Sequence, residues 1–228
     1  MKNILDIIAD IPLFNGLPEN QLNEIGRIAV KKRYGKGETI FLEGDDGNGF
    51  YVVADGKVKI FKSSTDGKEQ ILHIYGPGDP FGEVPVFSGE KFPANAQAIL
   101  KSHLLFFPRT AFVELITTNP SMAMNMLAVL SMRLREFTVQ IENLSLKEVP
   151  GRLASYLIYL ADEQKSEANI FLPISKGQLA SLLGTIPETL SRIFSKMSSR
   201  NLIEINGREI KLLDRSSLAD LAEHGKLA

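Results

Sequence analysis

Six apolar residues in the middle of the chain recur at alternating steps of three and four, a spacing that strongly restricts what the chain can fold into. This spacing places their side chains in one stripe along a helix, and a long helix with one narrow stripe normally packs against a partner helix. Charged residues beside the stripe, Arg133 among them, favour an exposed, paired helix. We therefore predict a dimerisation helix over residues 119–147 and a homodimer; a helix packed on its own domain's core is the alternative. The stripe consists of Leu127, Leu130, Leu134, Phe137, Ile141 and Leu144.

Upstream of this helix, glycines recur at short, regular intervals, at Gly44, Gly56, Gly67 and Gly78. Short strands joined by tight glycine turns produce this pattern in all-β rolls and barrels. The run from Lys57 to Lys62 alternates polar and apolar side chains for most of its length, as a strand with one buried face does. We predict an α+β protein whose N-terminal sensor domain, residues 1–118, is a double-stranded β-helix of the jelly-roll type.

Composition excludes several classes of site. The net charge of −1 means that any DNA-binding surface is local and offset by acidic residues elsewhere. The chain has no cysteine, which excludes disulfides, thiol redox sensing and an iron–sulfur cluster held by its own thiolates, and its three histidines lie too far apart for a local zinc site. Asp6 and Asp10 interrupt the apolar N-terminal stretch, no signal-peptide pattern follows, and no apolar run is long enough to span a bilayer. We expect a cytoplasmic protein without a membrane partner.

Two short helices separated by a glycine turn are predicted near the C-terminus. Ser175 is the candidate N-cap of the first helix, Gly184 ends it, and Pro187 falls in the first turn of the second. This organisation allows a second helix to enter a DNA major groove. On that helix, Arg192 can bind guanine O6 and N7, and Glu188 can accept from cytosine N4. An ion pair between these two side chains, four residues apart on a solvated surface, is the alternative.

A predicted hairpin with an Asn206-Gly207 turn directly follows the two helices and completes a winged helix-turn-helix domain over residues 148–228. Basic side chains in this region can reach phosphates of a double-stranded DNA operator. The predicted DNA-binding residues are Ser175, Lys176, Thr185, Ile186, Pro187, Glu188, Thr189, Ser191, Arg192, Lys196 and Arg208.

From the roll through the heptad helix to the winged helix, the chain resembles the Crp/Fnr superfamily of transcription regulators, and the stretch from Gly184 to Arg192 is similar to that family's recognition-helix signature. The resemblance implies a homodimer that binds an inverted repeat and recruits or blocks RNA polymerase, and it implies no enzyme activity. It also implies that Glu188 and Arg192 read a TGA-type half-site. Ser191 resembles the Fnr-like branch, with TTGA half-sites, whereas the Crp branch has glycine there and prefers TGTGA.

The stretch from Gly78 to Gly89 resembles the cassette that holds the cyclic phosphate and ribose in nucleotide-binding members of the family. Gly82 permits close backbone approach and Glu83 can hold a ribose hydroxyl, or alternatively cap nearby backbone N–H groups. The family's cyclic-nucleotide binders continue with an arginine, but here Phe92 or Pro93 takes that position. Without a guanidinium the phosphate loses its bidentate contacts, so we expect an effector other than cyclic AMP. The alternative is a cyclic-nucleotide binder that uses Lys91 instead.

The remaining effector choices are an apolar or aromatic small molecule, a haem that senses a diatomic gas such as nitric oxide, or no ligand. The tail of the cassette is similar to that of regulators of nitrosative stress, and the absence of cysteine excludes the Fnr branch's iron–sulfur cluster. A haem needs an axial ligand, for which His73 is the first candidate, followed by Met124, Met126 and Met132. The predicted effector-binding residues are Gly82, Glu83, Val84, Phe92, Pro93, Ala94, Asn95, Leu127 and Leu130.

Two other classes of protein compete poorly with a DNA-binding regulator. A regulatory roll of an enzyme or channel would share the pocket, but it would have no reason to carry the recognition-helix sequence and the wing. A cupin-type enzyme would need clustered histidines and carboxylates for a metal, and the sequence has no such cluster.

Overall fold

A computed structural model describes residues 4–14 and 16–225, apart from the side chain of His224. The chain divides into two compact units, residues 1–134 and 135–228, so the division falls within the long helix. The predicted domain boundaries after residues 118 and 147 divide the chain by element, and they stay predictions. The outer ends of the predicted domains, residues 1–3 and 226–228, lie outside the described residues.

The first unit is an eight-stranded roll with short helices before, within and after it. Its helices are α1 (Ile4–Ala9), α2 (Glu19–Ile28), α3 (Val84–Ser88), α4 (Arg109–Thr118) and the start of α5 (Pro120–Leu146), with a 3-10 turn at Pro12–Phe14. Its strands are β1 (Val30–Tyr34), β2 (Thr39–Phe41), β3 (Gly49–Asp55), β4 (Val58–Ser63), β5 (Glu69–Tyr75), β6 (Pro80–Phe81), β7 (Asn95–Ala98) and β8 (Ser102–Pro108).

The strands form two four-stranded sheets, in the orders β1-β8-β3-β6 and β2-β7-β4-β5. The neighbouring strands within each sheet run antiparallel, for example Val30 opposite Phe106 and Val58 opposite Tyr75. Non-consecutive neighbours in both sheets are the mark of a jelly roll, so the predicted fold class is confirmed.

Apolar side chains of the first unit form two separate clusters. One joins the N-terminal helices to α4 and the start of α5 around Phe50, Phe107 and Phe112. The other fills the roll interior with aromatic rings, among them Phe41, Phe81 and Phe92. The second cluster matters for function because it lies where the sequence predicts the effector.

Helix α5 matches the predicted dimerisation helix to within one residue at each end. Only Met122 and Met126, in its first two turns, are fully buried. Along the heptad stripe, by contrast, Leu127, Leu134 and Ile141 are 56%, 69% and 64% exposed. The start of α5, including Leu130 of the stripe, thus packs on the core of its own unit, as the alternative expects, whereas these three stripe residues do not; the homodimer stays a prediction.

The second unit contains the helix-turn-helix and its wing. Its elements are α6 (Val149–Glu163), β9 (Asn169–Phe171), α7 (Lys176–Leu182), α8 (Pro187–Ser199), β10 (Ile203–Asn206), β11 (Glu209–Leu212) and α9 (Arg215–His224). The three strands pair in the order β10-β11-β9. Helix α9 packs on α6 so closely that a side chain at Gly151 would meet the backbone of Gly225 at 2.6 Å.

The wing differs from the prediction in one detail. Asn206 pairs with Glu209, so the two-residue turn is Gly207-Arg208 rather than Asn206-Gly207. Gly207 has a φ of +61°, a left-handed conformation that glycine adopts without steric cost. The shift places Arg208 at the exposed tip of the wing.

Candidate DNA-binding surface and sensor site

Helix α7 begins with a complete capping box. The Ser175 hydroxyl accepts from the backbone N–H of Gln178 at 3.2 Å, and the Gln178 side chain accepts from the backbone N–H of Ser175 at 2.9 Å. Two N–H groups that a helix start leaves without partners are thereby satisfied. The predicted N-cap is confirmed, and the Ser175 hydroxyl has a structural function before any contact with DNA.

The turn between the two helices and the buried face of α8 orient the second helix. Gly184 adopts a φ of +64° after α7 ends, and Pro187 occupies the first turn of α8, as predicted. Leu190, Phe194 and Met197 are at most 3% exposed and anchor one face of α8. The opposite face is therefore held outward on a fixed helix.

That outward face carries the residues predicted to read bases. Pro187, Glu188, Ser191, Arg192 and Ser195 line a shallow surface cavity of about 550 Å³. An Nη2 atom of Arg192 donates to the Thr189 hydroxyl at 3.3 Å. Among the residues that the structure describes, no ion pair joins Glu188 to Arg192, which weighs against the alternative of a surface ion pair.

The other predicted DNA-binding residues surround this face in less uniform environments. Thr185 is half-buried and Ile186, the N-cap of α8, is 50% exposed. Lys176, Lys196 and Arg208 are all exposed, and the Lys176 ammonium lies 5.4 Å from the centre of the Phe194 ring. Their contacts with DNA stay predictions.

In the roll, aromatic rings occupy the space beside Gly82 of the cassette. Gly82 has a φ of +73°, and a Cβ there would approach Phe41 at 3.1 Å and Phe92 at 3.2 Å. Phe41 and Phe92 stack with their ring centres 3.7 Å apart and their planes within 6°. Phe92, one of the two residues that can take the position of the family's phosphate-binding arginine, thus points inward as a stacked hydrocarbon ring.

A cation does reach the cassette, but it comes from the long helix. Nη1 of Arg133 lies 2.6 Å from Oε1 of Glu83, the two side chains are 11% and 13% exposed, and Nη2 of Arg133 donates to the carbonyl of Pro80. The guanidinium also lies 4.7 Å from the centre of the Tyr75 ring. Two expectations are corrected here: Arg133 is not an exposed helix residue, and Glu83 makes no side-chain cap to α3.

The residues that follow the cassette, 91–95, make contacts that hold their own loop against neighbouring segments. The ammonium of Lys91 lies 3.6 Å from Asp46, and both side chains are mostly exposed. The carbonyl of Pro93 accepts from Lys62, and the Asn95 amide bridges the backbone of Glu43 and Phe61. Ala94 is buried. Lys91 therefore does not point into the roll in this structure.

Three predicted effector-binding residues are not brought together with the Gly82 and Phe92 pair. Val84 is 41% exposed on α3, and Leu127 is exposed on α5. Leu130 packs against the cluster around Phe107, not against the aromatic cluster of the roll interior. In a single chain these three residues do not line a common pocket with the cassette.

The candidate haem ligands are dispersed in the same way. Burial, followed by the charge of Arg133, lowers the pKa of His73 to about 4, and its ring lies 4.4 Å from that of Tyr75. Met126 is buried in the other cluster, while Met124 and Met132 are 66% and 65% exposed. Within the described residues these donors do not converge on one space, so they do not form a two-ligand haem site, and haem binding through His73 alone stays a prediction.

Sequence reasoning missed two parts of this site. It did not place Arg133 beside Glu83, although a carboxylate expected in a buried cassette signals the need for a cation. It also missed Phe41, Tyr51 and Tyr75 as ring partners of Phe92 and Phe81. Four of these rings, Phe41, Tyr51, Tyr75 and Phe81, come from four different strands. An aromatic residue on each of several short strands is the signal that could have indicated this cluster.

Comparison with protein families assigns both parts of the chain. Residues 31–119 match the cyclic nucleotide-binding domain family, and residues 151–221 match the Crp-like helix-turn-helix domain family. Across the described ranges, no helix is both long and apolar enough to cross a membrane.

Individual relatives agree along most of the chain. The cyclic AMP receptor protein of Thermus thermophilus is 30% identical over 211 residues, 92% of this chain and 96% of its own. The transcriptional activator protein FnrA of Stutzerimonas stutzeri is 30% identical over 191 residues, 82% of this chain and 78% of its own. The structure of FixK2 from Bradyrhizobium japonicum superposes with a TM-score of 0.76 at 26% identity, covering 88% of this chain and 99% of that one. The chain belongs to the Crp/Fnr family of transcription regulators.

Proposed function

We propose that this regulator binds, as a homodimer, an inverted repeat with TTGA- or TGTGA-like half-sites, and that it recruits or blocks RNA polymerase there. The observation that carries the proposal is the outward face of α8, where Glu188 and Arg192 stand exposed without pairing with each other. An arginine that is not committed to a protein carboxylate can bind guanine O6 and N7, and the glutamate can accept from cytosine N4.

The stripe on α5 supports the dimer. Side chains that are more than half exposed in the single chain, such as Leu134 and Ile141, gain burial when two copies of α5 pair along the heptad spacing. Two copies of α8 then read two half-sites about 34 Å apart, one turn of DNA. The near-zero net charge of the chain fits this arrangement because two local surfaces together supply the affinity.

We infer that the effector is a small molecule other than cyclic AMP. The Phe41–Phe92 stack lies beside Gly82 of the cassette, Lys91 pairs outward with Asp46, and the buried cation Arg133 is already bonded to Glu83. An anionic ligand would have to displace that carboxylate. A ligand that stacks on Phe41 or Phe92 would instead find apolar partners. It would act on α5 through the loop that carries Glu83, because Glu83 is bonded to Arg133 on that helix.

The test is fluorescence anisotropy of a labelled TTGTGA-type inverted repeat against a scrambled repeat of the same length. Preference for the repeat without any addition supports DNA reading and an effector other than cyclic AMP. Equal binding to both DNAs in every condition contradicts the proposed function. Cyclic AMP and haem with nitric oxide are added in separate arms.

A requirement for cyclic AMP would overturn the proposal about the effector. In that case the Lys91→Ala variant decides the alternative, because loss of the cyclic AMP response identifies Lys91 as the substitute for the missing arginine. A change of binding only with haem and nitric oxide would support the nitrosative-stress function, and His73→Gln would test the axial ligand.

A further inference from the structure

On the exposed surface of α8, the side chain of Thr189 contacts Arg192, a residue that we predict to bind a base. It lies one residue after Glu188 and three before Arg192, and it is half-buried while both of those are exposed. Its Oγ1 accepts from Nη2 of Arg192 at 3.3 Å. The bond places the guanidinium beside residue 189 on the helix surface.

The usual partner of an arginine at this spacing would be the glutamate. Oppositely charged side chains four residues apart on a helix attract each other, and Glu188 and Arg192 have that spacing. Neither has an interaction with the other in the described part of the chain. A guanidinium held by a neutral hydroxyl leaves the Glu188 carboxylate unneutralised, so both charged groups can face bases.

The donor count of arginine makes this compatible with base recognition. A guanidinium carries five N–H donors, and bidentate recognition of guanine uses two of them. The bond to Thr189 uses one further donor, on Nη2. An arginine that is already held also loses less side-chain entropy when it binds than one that rotates freely.

We propose that Thr189 is a positioning residue that holds Arg192 for its guanine and keeps it from pairing with Glu188. The inference rests on the proposed function, in which Arg192 reads guanine. It differs from the simpler expectation that the Thr189 hydroxyl contacts a DNA phosphate. A phosphate contact weakens binding to all sequences alike, whereas a positioning residue changes the discrimination of one base.

The experiment measures Kd for the inverted repeat and for the same repeat with adenine replacing guanine in each half-site. The ratio of the two values is compared among wild type, Thr189→Val, Thr189→Ser, Arg192→Ala and the Thr189→Val, Arg192→Ala double variant. Valine keeps the branched shape and removes the hydroxyl, and serine keeps the hydroxyl. Circular dichroism melting confirms that each protein is folded.

We expect Thr189→Val to lower the ratio about 3- to 10-fold, where tenfold corresponds to about 1.4 kcal/mol. Thr189→Ser should keep the ratio within about twofold of wild type, as expected when the hydroxyl is what matters. In the Arg192→Ala background the valine substitution should change nothing further, because it acts through Arg192.

Three outcomes overturn the proposal. Thr189→Val can weaken binding to both DNAs by the same factor, as the loss of a phosphate contact would. It can leave both Kd values, and so their ratio, unchanged. Its effect on the ratio can also persist in the Arg192→Ala background. Failure of the proposed function is distinguishable from these, because the wild-type protein itself would then fail to discriminate between the two DNAs.

Discussion

Nη1 of Arg133 on helix α5 lies 2.6 Å from Oε1 of Glu83, a residue that is fifty positions earlier in the chain. Both side chains are nearly buried, and the guanidinium also bonds the carbonyl of Pro80 and lies against Tyr75. The pair ties the helix that carries the heptad stripe to the loop that carries the cassette. Any ligand that moves this loop therefore acts on the helix.

The first prediction concerns this pair. Glu83→Gln and Arg133→Met should each lower the free energy of unfolding of the first unit by about 2–4 kcal/mol, because each leaves a buried charge without its partner. The double variant should lose clearly less than the sum of the two. Urea titration followed by circular dichroism measures these values. Lys62→Met is the matched control, since its pair with Glu43 is about half exposed, and it should cost less than about 1 kcal/mol.

The second prediction concerns base reading. Arg192→Ala should abolish the preference for guanine in the half-site, at a cost of about 1–3 kcal/mol, while the dimer stays intact. Competition anisotropy gives the preference and light scattering gives the mass. Selection of the same operator by this variant would show that the base contact has been assigned to the wrong residue.

The third prediction concerns the stripe. Ile141→Glu should convert the dimer to a monomer and weaken operator binding by about 100-fold or more, because a charge enters the apolar seam and the two half-sites are no longer bound together. Light scattering and anisotropy measure the two effects. Val139→Glu makes the same change at a half-exposed residue outside the heptad spacing and should leave the mass unchanged. If the Ile141→Glu protein were still a dimer, the prediction that the stripe forms the dimer interface would be wrong.

The fourth prediction concerns pH. The pKa of His73 is lowered from 6.5 to about 4 in the folded protein, first by burial and then by the charge of Arg133. Between those values the unfolded chain binds the proton and the folded chain does not. The free energy of unfolding should therefore rise with pH through this window, by at most about 1.4 kcal/mol per pH unit, and the full stability is present above about pH 6.5.

His73→Gln should flatten this dependence. Burial raises the pKa of Asp79, which contributes a dependence of opposite sign, so variants are compared rather than a single curve. Equal slopes for His73→Gln and wild type would refute the assignment.

The fifth prediction separates phosphate contacts from base contacts. Arg208→Ala at the wing tip should weaken binding to all DNA sequences alike. It should reduce the slope of log Kd against log salt by about 1.8, because each of the two wings of the homodimer loses one phosphate contact worth about 0.9. Arg215→Ala removes the same charge from α9, where the side chain pairs with Asp162, and should leave the salt slope unchanged. If Arg208→Ala instead lost the preference for particular bases, Arg208 would contact a base rather than a phosphate.

The sequence by itself determined the elements whose causes are local. The capping box of Ser175 and Gln178, the start of α8 at Pro187 and the extent of α5 depend on residues within a few positions of each other, and their spacing shows directly in the sequence. The two-sheet roll and the winged helix-turn-helix followed from the same kind of pattern, supported by the family resemblance.

Only the tertiary structure decided which side chains fill the interior of the roll and which partner each polar side chain takes. The Arg133–Glu83 pair and the Phe41–Phe92 stack each join residues that are about fifty positions apart, and the roll topology brings them together. Arg192 bonds to Thr189, three residues earlier, and not to Glu188, four residues earlier. Both spacings allow contact on a helix, so the side-chain geometry decides between them. Local spacing does not encode such choices, because they depend on which groups the packed chain leaves within reach.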